Sequence, residues 1–93
     1  MGHVFIGKFL LGYVVATRGA LDEISPDERI SALTRHVGGD WGEVDPIDAE
    51  ANDDAVENGG RILSAYRTAR GVKFWIITEA DRSVTTFLLP SEY

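Results

Sequence analysis

Two hydrophobic periods divide this chain. Between residues 26 and 37 apolar side chains recur at helical spacing, with Ile30, Leu33 and Val37 at i, i+3 and i+7. From residue 61 to residue 89 the period falls to two, in three short runs broken by turn-forming residues. A further apolar run, Val4–Ala16, is interrupted by Lys8. It is too short for a bilayer span, which needs about 20 apolar residues. Its second half, Leu10–Thr17, is rich in β-branched and aromatic residues and closes on Gly19, so it predicts a buried first strand.

Start and stop signals sharpen the helices. Ser25-Pro26-Asp27-Glu28 combines a capping serine, a proline suited to the first helical position and a glutamate placed for a capping box. Gly38-Gly39 stops that helix near His36. Asp45-Pro46 opens a second helix by the same logic, and Gly59-Gly60 ends it. Its apolar side is thin, reading as Ile47, Ala51 and Ala55, so it is expected at the surface.

The C-terminal third predicts a three-stranded antiparallel meander over Arg61–Thr68, Val72–Thr78 and Ser83–Leu89. Ala69-Arg70-Gly71 suits the first hairpin loop and Glu79–Arg82 the second, where Arg82 is expected to pair with Glu79 or Asp81. This register puts Ile62, Tyr66, Val72, Phe74, Ile76, Phe87 and Leu89 on one face. Leu63, Ala65, Trp75, Ile77, Val84 and Leu88 share the other. The fold class is therefore α+β: an N-terminal strand, two helices, then a three-stranded antiparallel β-meander, in a single domain over residues 1–93. Both sheet faces are apolar. One is expected under the first helix, and the other under the acidic helix, the N-terminal strand or a second copy in a homodimer through the sheet face.

Charge adds one strong feature. Nine basic residues face fifteen acidic ones, for a net charge of −6. Eight of those acids lie between His36 and Gly60 with no Lys or Arg among them: Asp40, Glu43, Asp45, Asp48, Glu50, Asp53, Asp54 and Glu57. Outside that stretch nine bases face seven acids, so the negative charge belongs to one segment. Asp45 and Asp48 have capping and dipole roles at a helix start. Glu50, Asp53, Asp54 and Glu57 fall at i, i+3, i+4 and i+7, four carboxylates on one stripe, where each like-charge pair costs about 0.2–0.5 kcal/mol. An acidic face repels nucleic acid and attracts a protein partner with a basic surface, and with the apolar run too short for a span no membrane is expected. Asp40, Trp41, Glu43, Glu50, Asp53, Asp54 and Glu57 are the candidate partner-binding residues. Trp41 enters either as a core plug or as an exposed aromatic anchor beside the acids.

Other chemistry finds little support. Cysteine is absent, which excludes disulfides and thiolate metal sites and fits a cytoplasmic location. The acids lack calcium-loop spacing, and His3 and His36 are too few for zinc, so neither metal nor cofactor is expected. The segment 38–42 lacks the Lys-Ser/Thr ending of a phosphate loop. His36, with Asp40, Glu79 or Asp81 to orient it and Ser83 or Thr85 as nucleophile, is the one route to a small enzyme or toxin; its place near a helix C-terminus already accounts for it. No catalytic residue is assigned.

Several strings resemble a family of roughly ninety-residue proteins found on bacterial plasmids, integrative elements and phages. They are Leu11–Thr17, His36–Gly42 (HVGGDWG), Leu63–Tyr66, Trp75–Ser83 (WIITEADRS), Thr85-Thr86 and Leu88–Pro90. Arg18 stands where that family would have proline, a departure that touches a turn. Some members carry a type I restriction subunit M label, but this chain has no room for a methyltransferase domain. The resemblance implies a mobile-genetic-element setting and brings no catalytic residues. Together with the acidic stripe it points to a non-enzymatic anti-defence inhibitor acting through protein–protein interaction on a nucleic-acid-binding or host-defence protein. The alternative is a dimeric accessory protein with no inhibitory role.

Overall fold

The computed structural model describes residues 7–93. The beginning of the apolar run, Val4–Ile6, lies outside them. Seven regular elements follow in order: β1 (Tyr13–Ala16), α1 (Arg18–Glu23), α2 (Pro26–Val37), α3 (Pro46–Asn58), β2 (Ile62–Arg67), β3 (Lys73–Thr78) and β4 (Val84–Leu88), with a closing 3₁₀ turn at Pro90–Glu92. The α+β class holds, and so does the meander β2-β3-β4, with β2 and β4 one residue shorter at both ends than the sequence suggests and β3 one residue shorter at its start.

The first strand is where the arrangement departs from expectation. β1 adds to the meander beside β4 and runs parallel to it, giving one four-stranded sheet of order β1-β4-β3-β2. It is an edge strand, largely exposed, and not the buried strand its composition suggests. A parallel neighbour needs a long crossover. Here that crossover is everything between residues 17 and 83, which takes in all three helices and the other two strands.

α1 was hidden by Gly19, which reads as a strand stop. Thr17 caps it by accepting from the Ala20 amide, and Glu92 reaches from the C-terminal turn to take the Gly19 amide and the Thr17 hydroxyl. α2 begins with the full capping box, Ser25 and Glu28 each accepting the other's backbone N–H. Glu28 also accepts the Ala69 amide from the β2–β3 loop, and these backbone bonds, that from Ala69 above all, hold its carboxyl below the usual range.

The helices all pack on one side of the sheet. Ala20, Ile24, Ala32 and Leu33 close over Tyr66, Phe74, Ile76 and Phe87, the face that period-two alternation assigned. A second cluster joins Trp41, Ala55 and Ile62, flanked by Phe9, Val44, Ala49 and Val56. The acidic helix does not cover the opposite face, and its buried side is Asn52 and Ala55, with Ile47 80% exposed. Ala49, Asn52 and Val56 fit a better stripe than Ile47 and Ala51, but it runs through an asparagine, which hydrophobic periodicity counts as polar. Among the described residues no α-helix lies on the opposite sheet face. Trp75 and Tyr93 meet edge-to-face across it, and Arg61 lies over the Tyr93 ring. The molecule is accordingly thin, 34 × 33 × 19 Å.

Candidate functional site

The seven candidate residues sort themselves by what already holds them. Asp40 follows α2 and takes a two-pronged contact from Arg35, with 2.7 Å between Nε and Oδ2. The guanidinium, helped by the Gly42 amide, pulls its carboxyl below the ordinary carboxylate range. Glu43 pairs with Arg67 of β2 at 2.9 Å. These two acids have cations of their own, so they add little field at a distance.

Trp41 is buried, 6% exposed. It stacks on Phe9, meets the His36 ring edge-on and donates its indole N–H to Asp53 at 2.9 Å. It therefore offers no ring to a partner: the exposed-anchor reading fails, because the backbone here is locked to β2. Ala65 donates to the Trp41 carbonyl and Glu43 donates back to the Ala65 carbonyl, so the chain runs as a short parallel bridge with Gly42 at its centre. Gly42 holds φ of 73°, and a side chain there would collide with the Ala65 carbonyl.

What remains is the outer side of α3. Glu50, Asp53, Asp54 and Glu57 are all exposed. Asp53 gives one oxygen to Trp41, and Asp54 accepts from the Asn58 amide one turn on. The four ion pairs among the described residues are Arg35–Asp40, Arg61–Glu79, Arg67–Glu43 and Arg70–Glu23, and none involves this stripe. Lys8 shares a shallow hollow with Asp53, Val56 and Glu57 without coming within ion-pair distance. Arg82, expected to pair with Glu79 or Asp81, instead turns its guanidinium on backbone. It donates to the carbonyls of Ala55 and Gly60, at 2.7 and 2.6 Å, and to those of Glu79 and Ala80. It serves as the cationic C-terminal cap that a helix ending in Glu57-Asn58 lacks in its own sequence.

His36 occupies the centre of the protein, with no exposed surface. Nδ1 lies 2.5 Å from the Ser64 hydroxyl and Nε2 2.9 Å from that of Thr78. Thr78 meets Thr85 at 2.7 Å, and Thr85 donates to the Leu11 carbonyl, also at 2.7 Å. That carbonyl fixes the protons from Thr85 back to Nε2, and the neutral ring then fixes the last one. Thr85 spends its proton on Leu11, so Thr78 must donate to Thr85, and His36 Nε2–H must donate to Thr78. Nδ1 is then the acceptor for Ser64. The ring is neutral, and burial pushes its pKa down to about 3.

A serine donating to a histidine nitrogen is the local geometry of an activated nucleophile. Here Ser64, His36, Thr78 and Thr85 have no exposed surface, and neither Asp40, Glu79 nor Asp81 bonds the ring. Ser64 and Thr78 are the partners that sequence reading missed. Their only signal was polarity at inward positions of β2 and β3, matched across the sheet to each other's neighbours. No group of three His, Asp or Glu side chains placed to hold a metal occurs among the described residues. No described helix is long and apolar enough to cross a membrane.

Comparison with protein-family models, curated proteins and solved structures found no match for this chain.

Proposed function

We propose that this is a non-enzymatic binding protein whose α3 carboxylates dock on a basic patch of another protein. The observation that carries the reading is the division of the acids: Asp40 and Glu43 are paired, while Glu50, Asp54 and Glu57 stay exposed without an arginine or lysine in ion-pair range. A helix that carries this repulsion and buries mainly Asn52 and Ala55 gains little for its own fold from the charge. A basic, nucleic-acid-binding partner suits such a surface, since carboxylates at helical spacing compete for the cations that contact phosphate. The mobile-element resemblance supports an anti-defence inhibitor. The enclosure of His36 supports a role without catalysis.

The test is a tagged capture at low and high salt, comparing the native chain with a Glu50→Lys, Asp54→Lys, Glu57→Lys variant. Asp53 is kept because Trp41 needs it. The expected result is a basic protein, held at low salt and released by salt or by charge reversal, whose nucleic-acid binding falls when this chain is added. Capture that resists both salt and charge reversal overturns the reading.

A further inference from the structure

The sheet has two edges, and the chain treats them in opposite ways. The β2 edge is occupied at Leu63 and Ala65. The Asn52 side-chain amide bonds both the N–H and the C=O of Leu63, as a neighbouring strand would, and the Trp41–Glu43 bridge takes both groups of Ala65. Among the described residues nothing pairs with the β1 edge. Tyr13 and Thr17 direct their N–H groups to β4, at Ser83 and Phe87, so alternation turns the N–H and C=O of Val14 and Ala16 outward. The strand reads Tyr-Val-Val-Ala and, though short, carries no charge, proline or bulge. Tyr13 is 82% exposed, Val14 and Val15 each 46%, and Leu21 of neighbouring α1 53%. On the helix side the edge opens into an apolar groove of about 410 Å³ between Val14, Leu21, Pro26, Ile30 and Leu33.

We infer that β1 pairs antiparallel with β1 of a second copy, joining two sheets into one of eight strands about a two-fold axis. Three features select a second copy over an unrelated strand. An edge with outward groups on alternate residues is complementary to itself when reversed, and the alternation puts the axis on a residue and not between two, as at Val14 (Val14 opposite Val14) or Val15 (Val14 opposite Ala16). β1 has no charge, so self-pairing sets no like charges face to face. The net charge of −6 would ordinarily oppose self-association, but α3 packs at β2, the far end of the sheet. At about 4.8 Å per strand, the two β2 strands of the pair stand about 34 Å apart, several Debye lengths of ~8 Å. The pairing also brings two Leu21-lined grooves together across the join. It differs from a dimer through the sheet face, since Trp75 and Tyr93 stay where they are.

Sedimentation equilibrium on the full chain tests this. The expected result is a concentration-dependent species of twice the 10.2 kDa chain mass, with a dissociation constant in the micromolar range. Val14→Pro removes an outward N–H that β4 does not use, and Val15→Lys places a charge on the edge. Both are expected to be monomeric with native far-ultraviolet circular dichroism. Trp75→Ala and a Tyr93 deletion are expected to leave the dimer intact. Amide exchange at Val14 and Ala16 slows with concentration in the native chain if the edge is paired, a readout that needs no variant. A native chain that is monomeric up to its solubility overturns the inference. So does a dimer that survives both edge variants, or one lost only with Trp75 or Tyr93.

Discussion

The indole of Trp41 donates its proton to Oδ1 of Asp53 across 2.9 Å, tying the acidic helix to the ring at the edge of the core. One acid of the stripe is therefore structural, while its neighbours one turn away are not. Asp53→Ala strands the indole N–H and is expected to cost about 1–2 kcal/mol. Asp53→Asn keeps an acceptor and is expected to change stability by less than about 0.5 kcal/mol. Glu57→Gln relieves repulsion with Asp53 and Asp54 and is expected to stabilise by about 0.5 kcal/mol. Urea unfolding of the three variants at low salt checks the order.

His36 makes stability depend on acid. Its folded pKa, about 3, lies below the ordinary 6.5, so below pH 6.5 the unfolded chain binds a proton that the folded chain refuses. The contribution is complete above about pH 6.5 and declines by about 1.4 kcal/mol per pH unit as pH falls toward 3. The carboxyls of Glu28, Asp40, Asp81 and Glu92, lowered by their hydrogen bonds, add to the loss at the acid end. A His36→Gln variant is expected to be less stable at pH 7 and to show a slope between pH 6 and 4 that is shallower by one proton. Ring ¹⁵N shifts at pH 5 should report a neutral Nε2–H tautomer. An Nδ1–H tautomer there would contradict the proton order that Leu11 imposes, and an imidazolium would contradict the lowered pKa.

Arg82 is the one non-glycine residue with positive φ among the described residues, 62°, and it holds four carbonyls at the end of α3 and in its own turn. Arg82→Ala loses those bonds and keeps the backbone strain; Arg82→Gly loses the bonds alone. Arg82→Ala is expected to cost about 2–3 kcal/mol and Arg82→Gly about 1 kcal/mol less. Thermal unfolding of the pair separates the cap from the turn.

Much of this fold was legible because local rules agreed with the tertiary result. The box at Ser25 and Glu28, the cap at Asp45 and the alternation through Tyr66, Phe74, Ile76 and Phe87 all hold. What escaped depended on residues distant in sequence. The six-residue helix at Arg18 is anchored by Glu92, and β1 finds its place only beside β4. The candidate surface was half legible. Spacing gave the stripe, but spacing is silent on the arginines 35 and 67 that neutralise Asp40 and Glu43, and on the indole that claims Asp53.

Asn52 carries one more consequence. Were Leu63 left bare, the β2 edge would keep only the Trp41–Glu43 bridge at Ala65 as cover, and a sheet with two exposed edges can add copies at both. If copies join at β1 as inferred above, the asparagine at Leu63 helps to close the other edge, so that growth would be one-sided and association would stop at two. Asn52→Ala is expected to cost about 1–3 kcal/mol and, beyond that, to turn a finite particle into an elongating one. Light scattering that rises with time in Asn52→Ala, and stays flat when Val14→Pro is added, would mark this side chain as the terminator of a polymer.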